Sequence, residues 1–141
     1  MSGARGTVRR EVRIARSPAQ VWEAIGDPAK VHEWFPGTVA CTVEGDQRVV
    51  TTGSGLPIPE QLLTVDPLQH RIQYRITAPI VREHLSTLDV FDLEDGTSLV
   101  AYSADADPSV MALVIAGAAG NALRSLRDRL EGASIDDGGL T

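Results

Sequence analysis

Residues 17–36 read SPAQVWEAIGDPAKVHEWFP, a stretch that predicts two short helices in succession. The Ser-Pro pair at 17–18 is typical of a helix start, because serine caps free N–H groups and proline suits the first helical position. Gly26 ends this first helix, the pair Asp27-Pro28 begins a second one, and Pro36 ends that.

Strand-like segments lie on both sides of these helices. Residues 8–14 alternate apolar and charged side chains, which is the period of a half-buried strand. Six more strands follow the helices, separated by turn residues such as Gly45-Asp46 and Glu94-Asp95-Gly96. We predict them at residues 38–44, 47–53, 60–66, 70–77, 83–93 and 97–105.

The period changes to that of a helix over residues 107–131, with Asp107 as the cap and Pro108 in the first turn. A sheet with one apolar face needs a cover, and this helix is the predicted cover, which makes the class α+β. The middle of the helix, residues 117–122, consists of small residues. They indicate either a close approach of helix and sheet or space for a ligand, and both interpretations stay open here.

Composition limits the class of protein. A chain of 141 residues with 43% hydrophobic content has the size of one domain. Its 13 basic and 19 acidic residues give a net charge of −6 with scattered arginines, so nucleic acid is not an expected partner. The apolar segment 110–119 is about half the length that a membrane span needs, so we predict no span.

Cysteine, histidine and glycine patterns argue against several kinds of site. The single cysteine, Cys41, cannot form an internal disulfide, and residues 1–6 lack the apolar core of a secretion signal, so we predict a cytoplasmic protein. The three histidines lie far apart in sequence and no phosphate-binding glycine motif is present. We therefore predict no metal and no cofactor.

The motif Ser-Pro-x-x-Val-Trp-x-x-Ile-x-Asp-Pro-x-x-x-x-x-Trp-Phe-Pro at residues 17–36 resembles the polyketide cyclase/dehydrase-like branch of the START-like, helix-grip superfamily, also called SRPBCC. The turn at 94–97 and the strand end at 102–108 occur in the order of that family. The resemblance covers residues 7–132, which we predict to be one domain, with residues 1–6 and 133–141 as flexible tails. It implies a curved seven-stranded antiparallel sheet wrapped around a long C-terminal helix, with two short helices after the first strand.

The resemblance also implies an elongated apolar cavity between sheet and helix, because members of the superfamily bind or transform lipids, sterols and polyketides. We favour binding or carriage of a small hydrophobic ligand. The alternative is a polyketide cyclase, aromatase or dehydratase. A second alternative is a protein-interaction module of the co-chaperone or toxin type, which predicts a filled cavity and an exposed apolar patch. A homodimer through an edge strand or the apolar part of the helix is also compatible with the sequence.

Alternation along the strands identifies candidate catalytic residues. His84 and Ser86 share the predicted inner face of their strand, and Tyr74 and Tyr102 are predicted to point inward from neighbouring strands. A cyclase or dehydratase needs a general acid or base, for which His84 is the best candidate. Tyr102 and Tyr74 could orient a carbonyl group, although a role as core or cavity-wall residue is favoured for both.

Further residues are candidates for ligand contact. The helix-grip arrangement implied by the resemblance places Trp34 near the mouth of the cavity, as wall or as ligand contact. The face of Glu60 stays undecided, because apolar residues are equally frequent on both sides of its strand. The predicted ligand-binding residues are Trp34, Glu60, Ser86, Leu88, Val100, Val114, Ala118 and Asn121.

Overall fold

The structure is a computed structural model that describes the backbone of residues 5–140 and the side chains of residues 5–132. The strands of this part form one seven-stranded antiparallel sheet in the order β1-β7-β6-β5-β4-β3-β2. The predicted α+β helix-grip architecture is confirmed. The elements are β1 (Gly6–Ile14), α1 (Pro18–Ile25), a 3-10 helix (Pro28–Glu33), β2 (Thr38–Glu44), β3 (Gln47–Thr52), β4 (Pro57–Asp66), β5 (Arg71–Ile76), β6 (Glu83–Asp92), β7 (Ser98–Asp107) and α2 (Ser109–Leu140).

Both short helices begin where the sequence predicts. The hydroxyl of Ser17 accepts a hydrogen bond from the Gln20 amide at 3.2 Å, and the Gln20 side chain accepts one from the Ser17 amide at 3.0 Å. This reciprocal arrangement is a capping box, which satisfies free N–H groups at the start of α1. Asp27 caps the 3-10 helix in a similar way, by accepting from the Ala29 amide at 2.9 Å.

Strand β4 begins at Pro57, earlier than the predicted start at Glu60. Pro57 and Pro59 pair with β3 on one side, but they lie beyond the end of β5, whose residue Ile76 is opposite Glu60. A proline is tolerated in a strand where its missing N–H would have no ladder partner. The predicted strand is therefore three residues too short at its start.

The start of α2 differs from the prediction. β7 continues through Asp107, and the helix begins at Ser109, so neither Asp107 nor Pro108 belongs to it. The Asp107 carboxylate does not cap α2 but accepts from the Arg82 guanidinium at 2.6 Å, and its carbonyl accepts from the Arg82 amide at 2.7 Å. Asp107 therefore fixes the position of Arg82, the residue that precedes β6.

The far end of α2 also differs, since the helix extends to Leu140 and passes the predicted end at residue 131. Residue 6 belongs to β1 and not to a tail. Residues 1–4 and 141 of the predicted tails lie outside the described residues. The flexibility of the tails stays a prediction.

Helix α2 packs against β1 and β7 through small side chains. Ala116, Ala119 and Ala122 are fully buried on the sheet side, and Leu123 and Leu126 continue that face into the core. Small residues allow the helix to approach the sheet closely, which is one of the two predicted roles for this segment. The stretch Ser109–Gly132 is long and apolar enough to cross a membrane, a property that it shares with core helices of soluble proteins.

Candidate functional site

A cavity of about 330 Å³ lies between the inner face of the sheet and the first half of α2. Because α2 packs against β1 and β7, the inner faces of β3, β4 and β5 border this space. Apolar side chains form most of its wall, including Val50, Ile58 and Ile76 from the sheet and Met111, Val114 and Ala118 from α2. Val114 is 58% exposed and marks where the cavity opens to solvent. The volume suits a small organic molecule.

Four polar side chains on the cavity wall touch one another, and we call them the polar cluster: Arg48, Glu60, Tyr74 and Tyr102. Arg48 and Glu60 form an ion pair, with Nε and Nη2 of Arg48 each 2.7 Å from Oε1 of Glu60. Both residues are buried, at 3% and 6% exposed. Nη1 of Arg48 also donates to the Pro28 carbonyl at 3.1 Å, which ties the pair to the 3-10 helix.

The two tyrosines form the aromatic half of the polar cluster. The Arg48 guanidinium lies 4.6 Å from the centre of the Tyr74 ring, in cation–π geometry. The Tyr74 hydroxyl is hydrogen-bonded to the Tyr102 hydroxyl. The ring of Phe35 lies 6.3 Å from that of Tyr102 and closes the cluster on the side of the 3-10 helix.

Burial determines the charges of the polar cluster. Desolvation raises the pKa of Glu60, while the charge of Arg48 opposes that rise. Burial also raises the pKa of Tyr74 well above its usual value and raises that of Tyr102. The two contacts of 2.7 Å from Arg48 assign Glu60 as the carboxylate of an ion pair, and both phenols keep their protons, so the net charge of the cluster is zero.

Strand register brings the ion pair together. Arg48 lies directly opposite Glu60 in the antiparallel pairing of β3 and β4. Glu60 faces the interior, which answers the question that the sequence left undecided. Sequence reasoning missed Arg48, although its alternation with buried Val50 along β3 was a signal that it shares the inner face.

His84 is buried next to the cavity wall but is not among the lining residues. Its Nδ1 accepts a hydrogen bond from the Ile76 amide at 2.7 Å, and its Nε2 lies 2.7 Å from the Ser86 hydroxyl. Desolvation lowers the pKa of His84 to about 4, and the charge of Asp105 acts in the opposite direction. The ring is therefore neutral at pH 7, carries its proton on Nε2, and has both nitrogens occupied by the protein.

The structure brings five of the predicted site residues to the cavity: Tyr74, Tyr102, Glu60, Val114 and Ala118. Trp34 and Leu88 line a void of about 20 Å³ on the far side of the tyrosines. Ser86 is fully buried as the partner of His84, and Val100 is a core residue between Val12 and Val90. Asn121 is exposed and accepts from Arg124 at 2.6 Å, away from the lining.

Ala118 supplies the second predicted role for the small residues of α2. Its neighbour Ala119 is buried against the sheet, whereas Ala118 borders the cavity. The segment thus gives both a close approach and space for a ligand. Among the residues that the structure describes, no group of three His, Cys, Asp or Glu side chains is arranged to hold a metal ion.

The sheet, the covering helix and the apolar cavity between them define a protein of the START-like, helix-grip class. The chain belongs to the family described as "Polyketide cyclase / dehydrase and lipid transport", which it matches over residues 5–131. The match includes both short helices, all seven strands and most of α2.

Solved structures support the same class. The protein XoxI from Bacillus cereus is 25% identical and superposes with a TM-score of 0.81, covering 88% of this chain and 94% of that one. A START superfamily protein from Mycobacterium smegmatis is 17% identical with a TM-score of 0.66, covering 90% and 95%. Norcoclaurine synthase from Thalictrum flavum, solved with dopamine and hydroxybenzaldehyde, is 15% identical with a TM-score of 0.66, covering 89% and 87%. The last two are similar in fold alone, and no curated protein matches the chain.

Proposed function

We propose that this protein binds a small hydrophobic ligand in the cavity between the sheet and α2. The observation that carries the proposal is an apolar-walled space of about 330 Å³ with a single polar cluster on its wall. Transfer of an apolar ligand body from water to such a wall is favourable, and the polar cluster can fix its orientation. The family includes lipid transport in its description, which agrees with this function.

The rim of the cavity gives the ligand a route of entry. Ile80 and Val114 line the cavity and are 48% and 58% exposed, so apolar surface continues from the interior to solvent. Leu113, next to Val114 on α2, is also exposed but does not line the cavity. This difference between adjacent residues provides a test with a matched control.

The test is titration with the neutral fluorescent probe N-phenyl-1-naphthylamine. We expect Ala118→Trp to fill the cavity entrance and to weaken binding of the probe at least tenfold, because the indole would occupy the space of the ligand. Leu113→Trp places the same ring on the same helix outside the cavity and should leave binding within twofold of the wild-type protein. Equal affinity in the two variants would exclude the cavity as the binding site.

An enzymatic function is the second candidate, and the polar cluster favours it. Glu60 is a buried carboxylate with a raised pKa, and Tyr74 and Tyr102 are protonated phenols on the same wall. Such groups can accept a proton from a bound molecule and donate a hydrogen bond to its carbonyl. In this role Glu60 takes the place that the sequence suggested for His84, whose nitrogens are both occupied.

The two functions are separated by Tyr102→Phe, which removes one hydroxyl and little volume. Any ligand extracted from protein purified from its host, and identified by mass spectrometry, would be incubated with both proteins. The protein is an enzyme if the wild-type protein converts that molecule and Tyr102→Phe binds it without converting it. Recovery of the unchanged molecule from both proteins would leave a carrier.

A further inference from the structure

Within this proposed ligand cavity, we infer that the polar cluster selects ligands whose polar end is a neutral hydrogen-bond donor, an alcohol or phenol, over carboxylates and ethers of the same skeleton. The inference rests on the proposed function and deepens it, because it names the chemical class of the ligand. It follows from which hydrogen-bonding capacities of the polar cluster are already used and which remain.

The donors of Arg48 are largely used within the protein. Nε and Nη2 both contact Oε1 of Glu60, and Nη1 donates to the Pro28 carbonyl. Three of the five N–H groups of a guanidinium are thus engaged. The ring of Tyr74 covers one face of the group at 4.6 Å. Two N–H groups remain, one on Nη1 and one on Nη2, but the charge of Arg48 is already neutralised by Glu60. A ligand carboxylate would therefore find no uncompensated positive charge at the polar cluster.

One carboxylate oxygen of Glu60 remains available as a hydrogen-bond acceptor. Both contacts from Arg48 go to Oε1, and among the described residues no donor is found for Oε2. The side chain is only 8% exposed, and it lines the cavity. Oε2 is not sealed among protein atoms but is accessible from the cavity, so the O–H group of a ligand can reach it. A hydrogen bond to a charged oxygen next to an apolar wall is stronger than the same bond in water.

The tyrosines complete the selection. The Ser86 hydroxyl accepts from Nε2 of His84 and contacts the Tyr102 hydroxyl. When Ser86 donates to Tyr102 and Tyr102 donates to Tyr74, the Tyr74 hydroxyl remains as a donor next to the cavity. A ligand alcohol can accept from that phenol and donate to Glu60 at the same time. An ether can only accept. A carboxylate can only accept as well, and it adds a second negative charge beside Glu60 in a desolvated site.

The experiment compares 2-naphthol, 2-methoxynaphthalene and 2-naphthoate, which share one ring system and differ in the polar group. Each displaces N-phenyl-1-naphthylamine from the wild-type protein at pH 7. We expect 2-naphthol to bind at least tenfold more tightly than either of the other two. Equal displacement by all three, or displacement by none, overturns the inference while the proposed function stands, because the bound probe itself tests the cavity. Failure of the probe to bind would instead refute the proposed function.

The double variant Arg48→Met/Glu60→Leu tests the origin of the preference. It removes both charges together and leaves no unpaired ion, so the fold is expected to survive. We expect it to bind the probe and to prefer 2-naphthol over 2-methoxynaphthalene by less than threefold. Retention of the full tenfold preference in this variant would also overturn the inference. Glu60→Gln, where it folds, should gain affinity for 2-naphthoate because Arg48 loses its charged partner.

Discussion

The pKa of His84 makes the stability of the folded protein depend on pH. Its value of about 4 in the folded state lies below the ordinary 6.5, so between these values the unfolded chain binds more protons. The contribution of His84 to stability is complete above pH 6.5 and is lost as the pH falls toward 4. The loss is about 2–3 kcal/mol over that window, and urea unfolding between pH 4 and 7 measures it.

The control for this effect is His84→Gln, in which an uncharged side chain of similar reach replaces the imidazole. Glu60 titrates with the opposite sign, because its raised pKa means that the folded state holds its proton more tightly. Since Glu60 is present in both proteins, the difference between them isolates His84. A variant with the same pH dependence as the wild-type protein would contradict this assignment.

Gly26 is required by packing and not by backbone conformation. Its φ of −76° is open to any residue, but a Cβ there would lie 2.5 Å from the indole of Trp22. We therefore expect Gly26→Ala to lower the free energy of unfolding by roughly 1–3 kcal/mol.

Gly117, in the interior of α2, has open space around its Cβ position, and Gly117→Ala should raise the free energy of unfolding by roughly 0.5–1 kcal/mol. Chemical denaturation measures both, and a loss in both variants would point to a general intolerance of alanine.

For single residues, burial was predicted best where the alternating neighbours on the same strand indicate the same face. Tyr102 lies between small and apolar inward residues, and its burial was predicted by alternation. Glu60 could not be assigned in this way, because its environment depends on Arg48, which belongs to another strand. Whether a charged side chain is buried can be predicted only when the strand register that supplies its partner is known.

The Arg48–Glu60 pair joins β3 to β4, so its loss should destabilise the folded protein at both strands. Removal of one partner leaves a buried charge without compensation, so we expect Arg48→Met to lower the free energy of unfolding by about 3–5 kcal/mol. The double variant Arg48→Met/Glu60→Leu should recover most of that loss, because two apolar side chains can pack where the ions were. Urea denaturation of the two variants and Glu60→Leu forms a double-mutant cycle, and additive losses would show that the residues do not interact.

Element boundaries were predictable where a local signal acts alone. The capping box at Ser17 needs no tertiary contact, and α1 begins where predicted. The start of α2 was wrong because a tertiary partner, Arg82, uses the Asp107 carboxylate that would otherwise cap the helix. The start of β4 was wrong because the cost of Pro57 and Pro59 depends on where the neighbouring strand ends.

For the whole molecule, the architecture followed from the order of helix-like and strand-like segments together with the resemblance to a family. The cavity did not follow from the residues in the same way. Its volume is the space that remains after α2 has packed against β1 and β7 through its alanines, and no single segment encodes that space. The small residues at 117–122 indicated two outcomes, and both occur on different faces of the same helix.

Ligand binding should stabilise the whole domain, because the cavity exists only in the folded state. At a free ligand concentration 100-fold above the Kd, occupancy of one site adds about 2.7 kcal/mol to the free energy of unfolding. For a chain of this size that corresponds to a rise in Tm on the order of 10 °C, measurable by calorimetry with 2-naphthol as the ligand. Ala118→Trp, with its entrance filled, should show at most about half of that rise at the same concentration, because binding at least tenfold weaker leaves the ligand no more than about 10-fold above the Kd. Leu113→Trp should show all of the rise. An unchanged Tm of the wild-type protein, under conditions where fluorescence reports saturation, would mean that the ligand binds the unfolded chain equally well, and the cavity could not then be the place where it is held.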